Sequence, residues 1–224
     1  MIVNHRYKFI FIKTRKTAGT SIEIGLSKIC DEADIVTELG EPIENKIKFG
    51  YTGSRNFKIP FRNCKPRDFL KIPRDGWPKF HSHSPAWYVK QRIDPEIWNS
   101  YFKFCFERNP FDRIISQYFW NTREKDIGLE EYISSAENFR LSNWHMYTVD
   151  DQVVVDHVAR FENLNEELDY IRDRLSLPED LKLAQTKTDH RPKNTRHDGL
   201  LDDTLKHKIS QVCSKEIAEF GYSF

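Results

Sequence analysis

The chain has 224 residues, enough for one domain with a substantial core and no need of disulfides or a structural metal. Lys plus Arg (35) nearly cancel Asp plus Glu (34), giving a formal net charge of +1, so the whole-chain signature of a nucleic-acid binder is missing. The cysteines, Cys30, Cys64, Cys105 and Cys213, stand far apart without a C-x-x-C pair, and read as reduced thiols rather than a disulfide framework or zinc site.

Phe9-Ile10-Phe11-Ile12 is the longest early apolar run. Bracketed by Lys8 and Lys13, it is too short for a signal peptide or a membrane span, and no later window is long enough to cross a bilayer. The expectation is a soluble, cytoplasmic protein with no membrane span and no nucleic-acid partner. Tyr7 to Lys13, aromatic and β-branched, predicts a strand at the sheet centre. A polar loop, Thr14-Arg15-Lys16-Thr17-Ala18-Gly19, follows it. Thr20 and Glu23 then stand three apart, the capping-box spacing that opens a helix, here running to about Ile29.

From Asn45 to about Phe80 the periodicity fails. Proline, glycine and cations dominate, among them Lys58, Arg62, Lys65, Arg67, Lys71 and Arg74, and the segment predicts an irregular basic excursion with at most a short strand or two. Pro85 to Arg92 and Pro95 to Asn99 predict short helices, and Tyr101 to Phe106 a second aromatic strand. Asn109-Pro110 supplies a cap and a first-turn proline for a helix whose Ile114, Ile115, Tyr118 and Phe119 share a face. Val153 to Phe161 predicts a strand, Leu164 to Leu175 a helix, Thr186 to Asp198 a polar loop, and Leu201 to Val212 a last amphipathic helix. Strands alternating with helices make this an α/β chain with a mainly parallel sheet, a single domain over 1–224.

Strand, small-residue loop and helix N-terminus together build an anion site, because the first-turn N–H groups point outward and the helix dipole favours negative charge. Ala18 and Gly19 let the backbone approach closely, Thr20 and Ser21 offer hydroxyls, and Lys16 offers a compact charge. The order is not that of a Walker A loop, since the lysine precedes the glycine. A second constellation, Glu107 to Ser116, places Arg108 at a strand end and Ser116 about two turns into the next helix, a pairing suited to a phosphate monoester.

At these two places the chain resembles the family of sulfotransferases that use 3'-phosphoadenosine 5'-phosphosulfate (PAPS), and most of all its carbohydrate branch of heparan- and chondroitin-type enzymes with bacterial relatives. Ile12 to Ser21 is similar to the 5'-phosphosulfate loop, and Phe106 to Tyr118 to the 3'-phosphate motif R-N-P-[FY]-D-R with its serine. Arg160 to Leu164 and Phe220-Gly221-Tyr222 are similar to further segments of that branch. The resemblance implies a P-loop-type three-layer fold with a sheet flanked by helices, PAPS as co-substrate without a metal, and a hydroxyl of a carbohydrate-like acceptor. It assigns Lys16 to the sulfate and its bridging oxygen, Thr17, Ala18, Gly19, Thr20 and Ser21 to the 5'-phosphate, and Arg108 and Ser116 to the 3'-phosphate. Lys193 and Thr195, in the loop from Arg191, would close over the nucleotide.

Phe80 to Ala86 resembles the family's histidine segment. It makes His83 the expected base, with His81 beside it and on the same face if the backbone is extended. One departure stands out: where the family usually has proline just before the loop lysine, this chain has Arg15, which either loosens the loop or adds a phosphate contact. Two other readings stay open, a P-loop nucleotide kinase-like enzyme and a non-catalytic glycan- or nucleotide-binding protein of the same fold. For the first, Thr17 offers a magnesium-binding hydroxyl, but no acidic partner at a second strand end stands out.

Overall fold

The computed structural model describes residues 1–40, 48–178 and 199–224. A five-stranded sheet lies at its centre: β1 (Ile2–Asn4), β2 (Phe9–Phe11), β3 (Ile35–Val36), β4 (Phe102–Glu107) and β7 (His157–Arg160), in the order β3-β1-β2-β4-β7. β2 pairs parallel with β4, and β4 parallel with β7, whereas β1 is antiparallel to both β2 and β3. β1 is therefore the one strand of this sheet running against the rest, and the sheet is mainly parallel, as expected. The predicted strand over Tyr7 to Lys13 is shorter than read, because Lys8 adopts a left-handed backbone (φ 53°) that closes the β1–β2 hairpin and interrupts extension.

Alternation along the strands sends side chains to two faces. Ile10, Ile12 and Cys105 pack on one side with Ala86 and Val89 of α3 (Ala86–Lys90), Trp98 of α4 (Pro95–Ser100) and Met146 and Tyr147 of α8 (Trp144–Tyr147). Phe9, Phe11, Phe104 and Phe106 pack on the other with Ile22 and Leu26 of α1 (Gly19–Ser27) and Ile171 and Leu175 of α9 (Leu164–Leu175). Burial on both faces explains why these strands read as near-continuous apolar runs. A third cluster joins α5 (Pro110–Thr122), α6 (Leu129–Ser135) and α7 (Asn138–Leu141) to α10 (Asp203–Val212), through Ile114, Ile115, Ile133, Leu141, Leu205 and Ile209. α11 (Ser214–Phe220) ends the described chain's helices.

Two expectations need correction. The basic excursion is not irregular throughout, since Pro66–Asp75 forms α2. Pro66 sits in its first turn, and Asp68 accepts the Lys65 N–H at 2.7 Å while pairing with buried Arg92 at 2.7 Å. Pro73 within the helix hid it from a periodicity reading. The strand predicted over Val153 to Phe161 is two pieces. Val153 closes a separate hairpin, β5 (Thr148–Val149) with β6 (Gln152–Val153), whose turn residues Asp150 and Asp151 are both left-handed, and β7 starts only at His157. Among the described residues no helix is long and apolar enough to cross a membrane.

Candidate active site

β2 and β4 are adjacent and parallel, so the loops leaving their C-terminal ends emerge side by side at one edge of the sheet. The first carries Thr14 to Ala18 and the second Arg108 and Asn109. They are stitched together, Ile12 N–H donating to the Phe104 carbonyl at 2.9 Å and the Thr14 hydroxyl to the Phe106 carbonyl. A cavity of about 1700 Å³ opens at this edge. Lys16, Thr17, Ala18, Gly19, Thr20, Ser21, Arg108, Ser116 and His83 all line it, so residues spread over a hundred positions meet at one place.

The loop is contorted. Lys16 and Ala18 both lie in the left-handed region (φ 61° and 58°) on either side of Thr17, and neither is glycine. Such conformations cost about 1–3 kcal/mol each and persist only where the surroundings impose them. Backbone conformations that alternate in hand along a short loop are of the kind that can gather successive N–H groups into an anion-binding concavity. α1 follows at once, with Ala18 at its N-cap and without a side-chain cap, so its first-turn N–H groups face the same cavity edge.

The expected Thr20/Glu23 capping box is absent, and the reason is specific. Glu23 is fully buried and turned into the core, where one carboxylate oxygen meets the Met1 amino nitrogen (2.6 Å) and the Thr37 hydroxyl (2.8 Å) and the other meets Lys13 Nζ (2.7 Å). Burial pushes this carboxyl up, but the two cations outweigh it and hold Glu23 below the usual range. Gly19 makes room for that pair: a Cβ there would stand 2.7 Å from Lys13 Cγ.

The Thr17 hydroxyl bonds the Thr14 hydroxyl (2.9 Å), and because the Thr14 proton goes to the Phe106 carbonyl, Thr17 is the donor of the pair. Lys16 Nζ lies 4.9 Å from the centre of the Trp120 ring, and Trp120 is one turn beyond Ser116 on α5. The Arg108 guanidinium, nine-tenths buried, stacks 4.4 Å from the Phe161 ring and stands 3.7 Å from Asp112.

The two histidines part company. Residues 81–84 form a turn, with the Ser84 N–H on the His81 carbonyl and the His81 N–H on the Ser84 hydroxyl, so the extended backbone that would put both rings on one face does not occur. His83 lines both the main cavity and a smaller recess beside Glu38, Leu39 and Gly40, whereas His81 lines the recess and not the main cavity. His83 Nδ1 lies 2.9 Å from the Lys13 carbonyl, an oxygen that can only accept, so the ring proton is on Nδ1 and Nε2 keeps its lone pair. The surrounding protein, and then the Lys13 charge, lower this imidazole from its ordinary value and leave it neutral at pH 7, although the residue keeps an exposed face.

Several residues of the site were not legible as such. Glu107, the last residue of β4, is fully buried against Arg113 (3.3 Å) and accepts the Arg108 N–H at 2.9 Å. It is the acid at a second strand end that the sequence did not flag; Oε1 meets these donors, while Oε2 is buried without a hydrogen-bond partner. Asn143, buried in the α7–α8 turn, bonds both backbone groups of Arg15. Lys193 and Thr195 lie outside the described residues. Among the described residues no group of His, Cys, Asp and Glu is gathered as a metal site.

A family model described as "Sulfotransferase family" matches residues 1–223. An uncharacterised protein of Archaeoglobus fulgidus is 32% identical over 103 residues, covering 43% of this chain and 86% of that protein. No solved structure matches the chain significantly.

Proposed function

The chain belongs to the sulfotransferase family, and we propose that it transfers the sulfuryl group of PAPS to a hydroxyl of a carbohydrate-like acceptor by in-line displacement, on a P-loop-type domain spanning the chain. What carries this reading is the gathering of two separate anion-binding groups, the contorted Lys16–Ser21 loop and the Arg108/Ser116 pair, with His83 on the wall of one cavity. A nucleotide phosphorylated at both its 5' and 3' positions is the ligand such a pair of sites suits.

In the proposed reaction the N–H groups of Thr17 to Ser21 hold the 5'-phosphate, while Arg108 and Ser116 hold the 3'-phosphate. His83 Nε2 takes the proton of the acceptor hydroxyl as its oxygen bonds to sulfur. The sulfur–oxygen bond to the 5'-phosphate breaks, and its electron pair stays on the phosphate oxygen. Lys16 neutralises the charge growing there. Its ammonium rests against the Trp120 face, a soft electrostatic contact that a phosphosulfate group readily displaces. Position and charge neutralisation carry the catalysis, as in phosphoryl transfer. A neutral imidazole in the resting site also suits the role, because a protonated one could accept nothing. The acceptor portion of the cavity adds Trp120, Phe139 and Tyr132 as flat surfaces for a sugar ring, with Lys125 and Arg140 as cations.

Titration calorimetry with adenosine 3',5'-bisphosphate beside magnesium-ATP tests the donor. Binding of the bisphosphate, weakened in Arg108→Ala, is the expected result. Preference for magnesium-ATP would instead overturn the sulfotransferase reading in favour of the kinase-like one.

A further inference from the structure

The loop that lines the cavity is strained, and something must hold it. Thr14 ties its start to β4 and accepts from Thr17 within the loop, and Arg15, where the chain begins to turn, bonds a distant part of the molecule. Asn143 accepts the Arg15 N–H through Oδ1 at 3.1 Å and donates from Nδ2 to the Arg15 carbonyl at 3.1 Å. One carboxamide thus satisfies both backbone groups of a single residue, as a neighbouring strand would. The Arg15 guanidinium adds bonds to the Phe139 carbonyl (3.1 Å) and, more weakly, the Ser142 carbonyl (3.5 Å). These contacts direct it to the backbone of the α7 region.

Asn143 is itself fixed from behind. Its Nδ2 reaches Glu107 Oε1 at 3.3 Å, and its N–H donates to Glu216 Oε1 of α11 at 2.9 Å. Arg113, fully buried, lies between these two carboxylates, 3.3 Å from Glu107 and 3.6 Å from Glu216, and donates to the Leu141 carbonyl at 2.6 Å. Glu107 also accepts the Arg108 N–H. Asn143 and Glu107 therefore connect the backbone of the first anion loop to that of the second through buried hydrogen bonds.

We propose that Asn143 is a positioning residue that preorganises the 5'-phosphate loop, clamping Arg15 through both of its backbone groups and tying the loop to the Glu107–Arg113–Glu216 cluster. The clamp requires an N–H at position 15. A proline there, usual in the family the sequence resembles, has none, so in this chain hydrogen bonds fix the loop where a pyrrolidine ring would otherwise do so. The identification of the ligand rests on the proposed function, but the mechanical claim does not.

The test uses Asn143→Ala and, should that variant fail to fold, the smaller change Asn143→Ser, which keeps a polar group beside Glu107. Amide hydrogen exchange without ligand is read first. Exchange at Arg15 to Ala18 should quicken by about tenfold or more, with the amides of α5 and α9 unchanged. Equal acceleration across the molecule, or none in the loop, would overturn the proposal whatever the ligand is. Binding is read second, with adenosine 5'-phosphate and adenosine 3'-phosphate as separate probes. Loss of about tenfold or more for the 5' nucleotide with the 3' nucleotide nearly unchanged supports the clamp, whereas a uniform loss for both would reduce Asn143 to general stability and refute it. A wild-type chain that binds neither nucleotide would refute the proposed function and leave the exchange result to judge the clamp.

Discussion

Gly19→Ala exposes how the core supports the loop. Gly19 opens α1 without a positive φ, so alanine suits its backbone and would gain up to ~1 kcal/mol from helix propensity alone. The obstacle is Lys13, whose Cγ, Cε and Cδ would stand 2.7, 3.2 and 3.4 Å from the new Cβ. Ordinary carbon contacts need about 3.5–4.0 Å, so the lysine stem must move by roughly 1 Å. That stem ends in a 2.7 Å bond to Glu23, both partners nearly sealed from water, and a 3.0 Å bond to Ser82. Overpacking costs about 1–3 kcal/mol and complete rupture of a buried pair about 3–5, so a partial stretch should leave a net loss of about 2–3 kcal/mol after the propensity gain. For a chain of this length that is a fall of roughly 5–10 °C in the melting midpoint. Urea unfolding in a double-mutant cycle with Lys13→Ala isolates the cause, because alanine at 13 has no Cγ to strike. In that background Gly19→Ala should be neutral or stabilising. An equal loss in both backgrounds would show that the Lys13 contact is not why glycine occupies position 19.

His83→Ala should abolish most sulfuryl transfer while sparing bisphosphate binding, and His81→Ala should leave transfer near normal; a steady-state comparison in which the two effects were reversed would move the base to His81. Because His83 is held below its ordinary value by the surrounding protein and then by Lys13, the acidic limb of kcat/KM should lie below pH 6.5 rather than near it. The same shift, shared by His145 through burial and then Arg15, makes the fold bind fewer protons than the unfolded chain, so stability should be intact above about pH 6.5 and decline as pH falls below it. Arg108→Ala should weaken the bisphosphate by roughly 10–100-fold in calorimetry, the worth of a charge-assisted contact of about 1.5–3 kcal/mol. Arg113→Met should cost about 3–5 kcal/mol at pH 7 by stranding Glu107 and Glu216, and the deficit should shrink as pH falls and Glu107, already pushed up to about 7 by burial, protonates.

Much of this architecture was legible where a local pattern had a local cause. The helix predicted over Leu164 to Leu175 has those bounds, because its apolar stripe and the αL stop at Ser176 are both written within a dozen residues. The aromatic strand at β4 and the Asn109 cap, which accepts the Phe111 N–H, follow the same logic. The loop residues and the Arg108/Ser116 pair converge on one cavity because adjacent parallel strands end at one edge, a consequence of topology that the α/β reading already contained. What escaped was long-range and polar. Glu23 looks like a capping residue by spacing, but its partners are Met1, Lys13 and Thr37, and no local rule ranks them above a helix N-terminus. Asn143 sits in an unremarkable Leu-Ser-Asn-Trp stretch, and only the folded chain brings it to Arg15. β1, three residues long, is too short to show a period.

The Asn143 clamp also dictates when the site can come into being. Arg15 and Asn143 are separated by 128 positions, and Asn143 reaches a further 73 positions to Glu216 in α11. Contacts of such span close late, because the entropy of the enclosed chain must be paid before they form. A nascent chain still lacking its last helix can lay down β2, α1 and β4 and yet hold the anion loop loosely. Competence to bind should then arrive as one of the final events of folding, only after the C-terminal helix has docked.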